Sequence, residues 1–147
     1  MTNTEILRKI STQLQREYPY LTFKIDGDRM LSEYKNGVFL LTDVSDDKIF
    51  GVTSQYRIFC TKKIDEDKVL NCLNELNSLY NLVGRLTKFS VPQEDVFGYV
   101  SFAPMYIPVS KECVDLESVQ IYFNRLKIFL EILENDEYFK TLNNLIN

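Results

Sequence analysis

Residues 64–91 constrain the fold most, because they predict a long amphipathic helix that runs almost directly into a strand. Between residues 65 and 83, apolar side chains recur at the helical period and fall on one arc. Acidic residues at positions 65–67 favour a helix N-terminus, where free backbone N–H groups and the helix dipole attract negative charge. Gly84 is predicted to end the helix in the left-handed conformation, and residues 85–91 alternate as a strand does. One face of this helix must therefore be buried against the rest of the chain.

The segments before this stretch predict one helix and several strands, and the segments after it predict a strand pair and helices. Apolar alternation, turn residues such as Asn36-Gly37, and a Thr2–Glu5 capping box mark their limits. The strand at 38–44 is apolar on both faces, which predicts a place near the middle of the sheet. The predicted elements are a helix at 2–18, strands at 21–25, 29–35, 38–44, 48–52, 55–61 and 96–107, a helix at 115–134 and a helical tail at 136–147.

This order of elements predicts an α+β fold in a single domain spanning residues 1–147. The expected arrangement is a helix, antiparallel strands, a helix, a strand pair and C-terminal helices, packed as a two-layer sandwich. Pro104 and Pro108 lack the N–H groups that a central strand needs, so the end of strand 96–107 is expected to lie at an edge of the sheet or to peel away from it. Such an edge is a candidate binding surface.

Charge and cysteine content limit the location and the partners. A net charge of −4 and scattered basic residues argue against a nucleic-acid partner, which requires clustered Lys and Arg. Three widely spaced cysteines form neither a disulfide framework nor a zinc motif, and no segment has the composition of a signal peptide or a membrane span. A cytoplasmic protein with no membrane partner is expected.

Catalytic signatures are scarce in this sequence. The chain has no histidine, which removes Ser-His and Cys-His pairs, and its five glycines form no phosphate-binding loop. We therefore expect no enzymatic activity, no cofactor and no metal. One alternative is a metal-dependent nuclease in which Asp26, Asp28 and Glu33 hold a divalent cation while Lys35 polarises a water. A solvent-facing hairpin with turn-forming aspartates explains the same residues.

The helix at 115–134 carries more apolar surface than a monomer needs. One broad apolar arc is enough to cover a sheet, yet Ile121, Ile128 and Ile132 form a second stripe on the opposite side. Burying each isoleucine would contribute roughly 1.5–3 kcal/mol. The stripe predicts self-association, although the tail after Asn135 or a partner protein would also cover it.

Aromatic residues on the strand at 96–107 predict a second contact surface. Nine Tyr and ten Phe offer stacking platforms for bases, but without a basic groove core packing or a protein interface is the better interpretation. Tyr99, Phe102 and Met105 are the predicted partner-binding residues.

The sequence LNELNSLY at residues 73–80, followed by Gly84-Arg85, a strand, an acidic turn and a strand at 96–102, resembles YbjN-like proteins and the type III secretion chaperones that share their fold. The likeness covers residues 1–135 in topology and some thirty residues in local pattern. It implies a bacterial, non-enzymatic α+β domain, commonly dimeric, that holds another polypeptide on its sheet or helix surfaces.

The first functional hypothesis is therefore a homodimeric, chaperone-like protein-binding domain that holds its partner by strand addition or in an apolar groove. The alternative is an immunity or antitoxin protein whose acidic surface neutralises a basic toxin. The metal-dependent nuclease is the second alternative.

Overall fold

A computed structural model describes residues 3–27, 29–44, 46–106, 109–110 and 116–147. The chain begins with helix α1, and the two longest strands, β6 and β7, follow the central helix α2. The elements are α1 Asn3–Glu17, β1 Lys24–Asp26, β2 Arg29–Tyr34, β3 Gly37–Asp43, β4 Ile49–Phe50, β5 Val52–Cys60, α2 Glu66–Tyr80, β6 Gly84–Gln93, β7 Val96–Tyr106, β8 Val109–Ser110, α3 Leu116–Asn135 and α4 Glu137–Ile146.

Six strands form one antiparallel sheet in the order β1-β2-β3-β5-β7-β6. Side chains alternate across the sheet, so one face carries buried residues such as Phe39 and Tyr56. Leu73 of α2 approaches Gly84 on that face, and Phe129 of α3 stacks there on Phe39. The predicted α+β single domain is confirmed, and its layers are a sheet with helices on one side.

Aromatic side chains fill the space between the sheet and the last two helices. Phe129 lies 6.2 Å from Tyr56 and from Phe102, measured between ring centroids. Phe139 of α4 lies 6.3 Å from Tyr56 and 6.1 Å from Phe102. The segment predicted as a helical tail is therefore part of the core, since Phe139, Leu142 and Ile146 are all buried.

The long helix ends earlier than its apolar pattern indicates. α2 stops at Tyr80, and Asn81 takes the left-handed cap conformation with φ of 55°. Gly84 instead begins β6, where a side chain would meet Phe102 Cε1 at 2.8 Å. Asn77 fixes this connection because its Oδ1 accepts a hydrogen bond from Gly84 N at 2.8 Å. The prediction that Gly84 caps the helix was wrong, because Asn81 is the C-cap residue of α2.

Two strand predictions changed in detail and two were confirmed. The short strand expected at 48–52 is reduced to β4, which pairs with β8 in a separate two-stranded sheet. The first strand begins only at Lys24. β3 lies between β2 and β5, as its apolar faces predicted. β7 is flanked by β5 and β6 up to Phe102, but its last paired residues, Met105 and Tyr106, oppose only β5 in the described registers, as expected for a strand that ends at an edge.

Candidate functional site

An apolar groove opens where the end of α2 meets α3 and the start of α4. We call it the Ile128 groove and define it by Tyr80, Leu82, Ile128, Ile132 and Tyr138. Its two lobes have volumes of about 480 and 210 Å³, and both are lined by Tyr80, Ile128 and Ile132. Ile128 is 57% exposed, although it belongs to a helix whose opposite side is fully buried. The groove therefore exposes apolar surface that folding of the described chain does not cover.

Two of the three predicted stripe residues, Ile128 and Ile132, line the groove, and Ile121 lies outside its lining. Ile121 lies seven residues, about two helical turns, before Ile128 and is 44% exposed, and Ile132 is half-buried. α4 does not cover them, because its apolar side, led by Phe139, is directed into the core. The C-terminal tail was one of the three candidates considered as a cover for the stripe. It does not bury Ile121 or Ile128.

Sequence reasoning placed one wall of the groove, Tyr80, in the core, together with two apolar neighbours. Leu79, Tyr80 and Val83 continue the apolar arc of α2 and were expected in the core, yet all three are exposed. The helix stops at Tyr80, so Val83 lies beyond its end and does not continue the helical arc. Leu79 and Tyr80 belong to the last turn of the helix, and Tyr80 lines the groove. Asn81 was the available signal, because asparagine is one of the few residues that adopts the left-handed cap readily.

Asp136 fixes the floor of the groove between α3 and α4. Its Oδ1 accepts a hydrogen bond from Phe139 N at 3.0 Å, which caps α4. Its Oδ2 accepts a hydrogen bond from the Tyr80 hydroxyl, which ties the end of α2 to the same point. The hydrogen bond to Asp136, together with desolvation and the Asp136 charge, raises the pKa of Tyr80 above its usual value.

Replacing Asp136 by alanine should lower the free energy of unfolding by about 1 kcal/mol, because the α4 cap is lost. Thermal unfolding followed by circular dichroism should show a fall in Tm of roughly 3 °C. Asp136→Asn is the control, since asparagine also accepts the N–H bond, and it should lose much less. Equal losses in both variants would contradict a capping role.

The charged residues beside the groove are arranged symmetrically about Ile128. Arg125 lies three residues before it and Glu131 three residues after it, and both are exposed. Arg125 lines one lobe and Glu131 lines the other. The apolar centre of the groove is thus flanked by opposite charges along α3.

The three predicted partner-binding residues do not form one surface. Phe102 is 0% exposed and packs beneath α3 and α4, so it is a core residue that a partner cannot reach. Tyr99 is half-buried on the other face of the sheet, between Phe59 and Phe89. The Met105 side chain lies outside the described part of the structure.

The residues of the nuclease hypothesis are not brought together. Asp26 pairs with Arg29 at one end of β2, and Glu33 lies four residues further, about 13 Å along the strand. The ligand oxygens of a divalent cation must lie within about 2.6 Å of the ion, so these two carboxylates cannot bind the same ion. Lys35 donates a hydrogen bond from Nζ to the backbone oxygen of Leu133 at 3.2 Å, at the end of α3. Asp28 lies outside the described residues.

Other titratable groups have structural surroundings. No group of three or more His, Cys, Asp or Glu residues suited to a metal ion occurs among the described residues. Burial raises the pKa of Cys60 to about 11 and also raises that of Cys72, so neither is a reactive thiolate near neutral pH. Cys113 lies outside the described residues.

A tyrosine–glutamate cluster joins the ends of α1 and α3. The hydroxyls of Tyr20 and Tyr34 both donate to Glu134 Oε1, the latter at 3.0 Å, and their rings stack 5.6 Å apart. Burial and the Glu134 carboxylate raise the pKa of Tyr20 to about 12 and raise that of Tyr34 further. Both hydroxyls therefore remain donors, and the cluster serves to hold the N-terminal segment against α3.

Comparison of the chain with protein-family models, curated proteins and solved structures found no match. Among the described residues, no helix combines the length and the apolar character that crossing a membrane requires.

Proposed function

We propose that this chain is a non-enzymatic protein-binding domain that forms a homodimer through the Ile128 groove. The observation that carries the proposal is the exposure of Ile128 and Ile121 together with the groove walls on a well-packed domain. Leaving such surface in water costs free energy that association recovers. The resemblance to dimeric YbjN-like proteins and secretion chaperones supports the same function independently.

A second copy suits this surface because the charges on α3 are self-complementary. In a two-fold dimer the same surface of each copy contacts the other, and when the axis is perpendicular to α3 the two α3 helices cross antiparallel. With the axis at Ile128, Arg125 of one copy lies opposite Glu131 of the other, and the reverse pair forms as well. The groove walls Tyr80 and Tyr138 then receive the exposed isoleucine of the second copy.

Replacing Ile128 by aspartate should convert the dimer to a monomer, because each copy would bury an unpaired carboxylate at the axis. The dimer dissociation constant should rise at least about tenfold. Light scattering behind a sizing column, over a concentration series, measures it. The matched control is Ile25→Asp, because Ile25 is 55% exposed, close to the 57% of Ile128, but lies on β1.

A charge-reversal cycle tests the geometry of the dimer. Arg125→Glu and Glu131→Arg should each weaken association, whereas the double variant should restore it, because the two charges exchange places across the axis. A monomeric unmodified chain, or an Ile128→Asp variant that remains dimeric, would overturn the self-association proposal. Additive losses in the double variant would overturn the antiparallel arrangement centred on Ile128.

A further inference from the structure

The sheet has a second face that carries no helix in the described part of the chain, here called the open face. Its side chains alternate with the buried ones along each strand. One row crosses five strands in register and consists of Glu33, Val38, Arg57, Ser101 and Arg85. Arg57 is in the middle of that row, on the central strand β5.

Arg57 is held in place but has no charged partner among the described residues. Its guanidinium carbon lies 4.2 Å from the centre of the Tyr99 ring, and Nη2 donates to Gln55 Oε1 at 3.3 Å. Its Nε is buried and has no hydrogen-bond partner in the part of the chain that the structure describes. Glu33, in the same row, is two strands away, about 10 Å. Stacking on Tyr99 and the hydrogen bond to Gln55 therefore hold the guanidinium of Arg57 in a fixed orientation on the open face.

An apolar hollow adjoins this arginine. Leu31 and Val38 supply its aliphatic surface, Tyr20, Thr22, Lys24 and Glu33 complete its lining, and it has a volume of about 490 Å³. Val38 is the direct register neighbour of Arg57, about 5 Å away across the sheet. Phe59, which is exposed, lies two residues along β5 on the other side. The oriented cation is therefore bordered by aliphatic and aromatic surface.

The open face is the basic side of an acidic molecule. Within the paired registers two acidic residues occur on it, Asp26 and Glu33. The four basic residues there are Lys24, Arg29, Arg57 and Arg85, which gives the face a net charge of +2. The whole chain carries −4. Glu94 borders the far end of the face, beside Phe59 and Phe89.

We propose that the open face binds an extended, acidic segment of a partner protein, with an Asp or Glu carboxylate on Arg57 and an aliphatic side chain in the adjoining hollow. A planar guanidinium suits a carboxylate because two parallel N–H groups match its two oxygens. Alternate residues of an extended segment point to one side, which lets an acidic and an aliphatic residue reach this face together. The site is separate from the Ile128 groove and does not depend on dimerisation.

A nucleic-acid ligand fits this face less well. Arg57 already covers one face of the Tyr99 ring, which removes it as a free stacking platform for a base. Two of the four basic groups lie at the β1 end, where Arg29 pairs with Asp26. The face therefore lacks a continuous basic track for a phosphate backbone.

Titration of the ¹⁵N-labelled full chain with two pentapeptides tests the proposal. The first is acetyl-Leu-Thr-Asp-Thr-Leu-amide, which presents Leu, Asp and Leu on one side, and the second has Asn in place of Asp. The Asp peptide should bind about tenfold more tightly, because a charge-assisted pair with Arg57 is lost in the second. The largest amide shifts should map to β3, β5 and β7, with a shift of the Arg57 Nε–H resonance.

Arg57→Gln should abolish the difference between the two peptides, whereas Arg16→Gln, an equal charge change on α1, should preserve it. Equal binding of both peptides to the unmodified chain, no binding of either, or shifts confined to the Ile128 groove would overturn the proposal. A single-stranded oligothymidylate that produces the same shifts more tightly would replace the protein partner by a nucleic acid. None of these outcomes depends on the oligomeric state. The peptide test of the open face and the dimerisation test of the Ile128 groove can therefore fail independently of each other.

Discussion

The Phe139→Ala variant is expected to unfold with about 3–5 kcal/mol less free energy than the unmodified chain. Phe139 is 2% exposed, and its ring lies between Tyr56 of β5 and Phe102 of β7. Alanine would leave a cavity at the junction of the sheet with α4, and the rigid sheet cannot close it. Chemical denaturation followed by circular dichroism should show the loss, and Tm should fall by roughly 10 °C.

Tyr138→Ala is the matched control, because it removes the adjacent aromatic side chain of the same helix. Tyr138 is 41% exposed, so its loss should cost less than about 1 kcal/mol. The two variants share their effect on helix propensity and differ in burial. A Phe139→Ala variant as stable as Tyr138→Ala would show that α4 does not belong to the cooperative core.

A second large loss is expected for Gly98→Ala in β7. A Cβ atom there would overlap the backbone oxygen of Thr87 and lie 3.0 Å from the Cα of Lys88 on β6. Both neighbours are backbone atoms, so no side-chain rotation relieves the clash, and the two strands must separate. We expect a loss of about 3 kcal/mol in the free energy of unfolding. Amide exchange in β6 should accelerate before exchange in β3.

Gly27→Ala separates this steric effect from backbone strain. Gly27 has φ of 62°, but nothing lies within 4 Å of a Cβ placed there. Its replacement should cost about 1 kcal/mol, which is the strain of the left-handed conformation alone. Equal losses at Gly27 and Gly98 would contradict the role of close approach between β6 and β7.

The sequence predicted the elements better than their ends or their contacts. Hydrophobic periodicity located α2, because most of its apolar residues do reach the core, but periodicity does not record where a chain turns. Asn81 ended the helix before Val83 could be buried. β8 was missed because a strand of only two residues directly after Pro108 carries no periodic signal. The fold class depended on element order and was therefore recovered in full.

The candidate site was predicted only where one element sufficed to define it. Ile121 and Ile128 lie on a single helix, so their position opposite the core face followed from the period of 3.6 residues. Tyr80 and Tyr138 come from different helices, and their meeting at the groove depends on how α2 and α4 pack. Tyr99 and Phe102 lie three residues apart on β7, so strand alternation already places them on opposite faces of the sheet, and grouping them in one surface overlooked this. Which of the two faces the helices cover depends on tertiary packing.

The position of α4 has a consequence for synthesis on the ribosome. The backbone oxygen of Ile146 accepts hydrogen bonds from Thr61 N at 2.7 Å and from Lys62 N at 3.3 Å, so α4 closes onto the loop before α2. Tyr56 and Phe102 are synthesised long before Phe139, and their rings have no cover from α4 until residue 146 has left the exit tunnel. This aromatic side of the sheet therefore has no cover from α4 during elongation, and it is closed only after α4 has been synthesised.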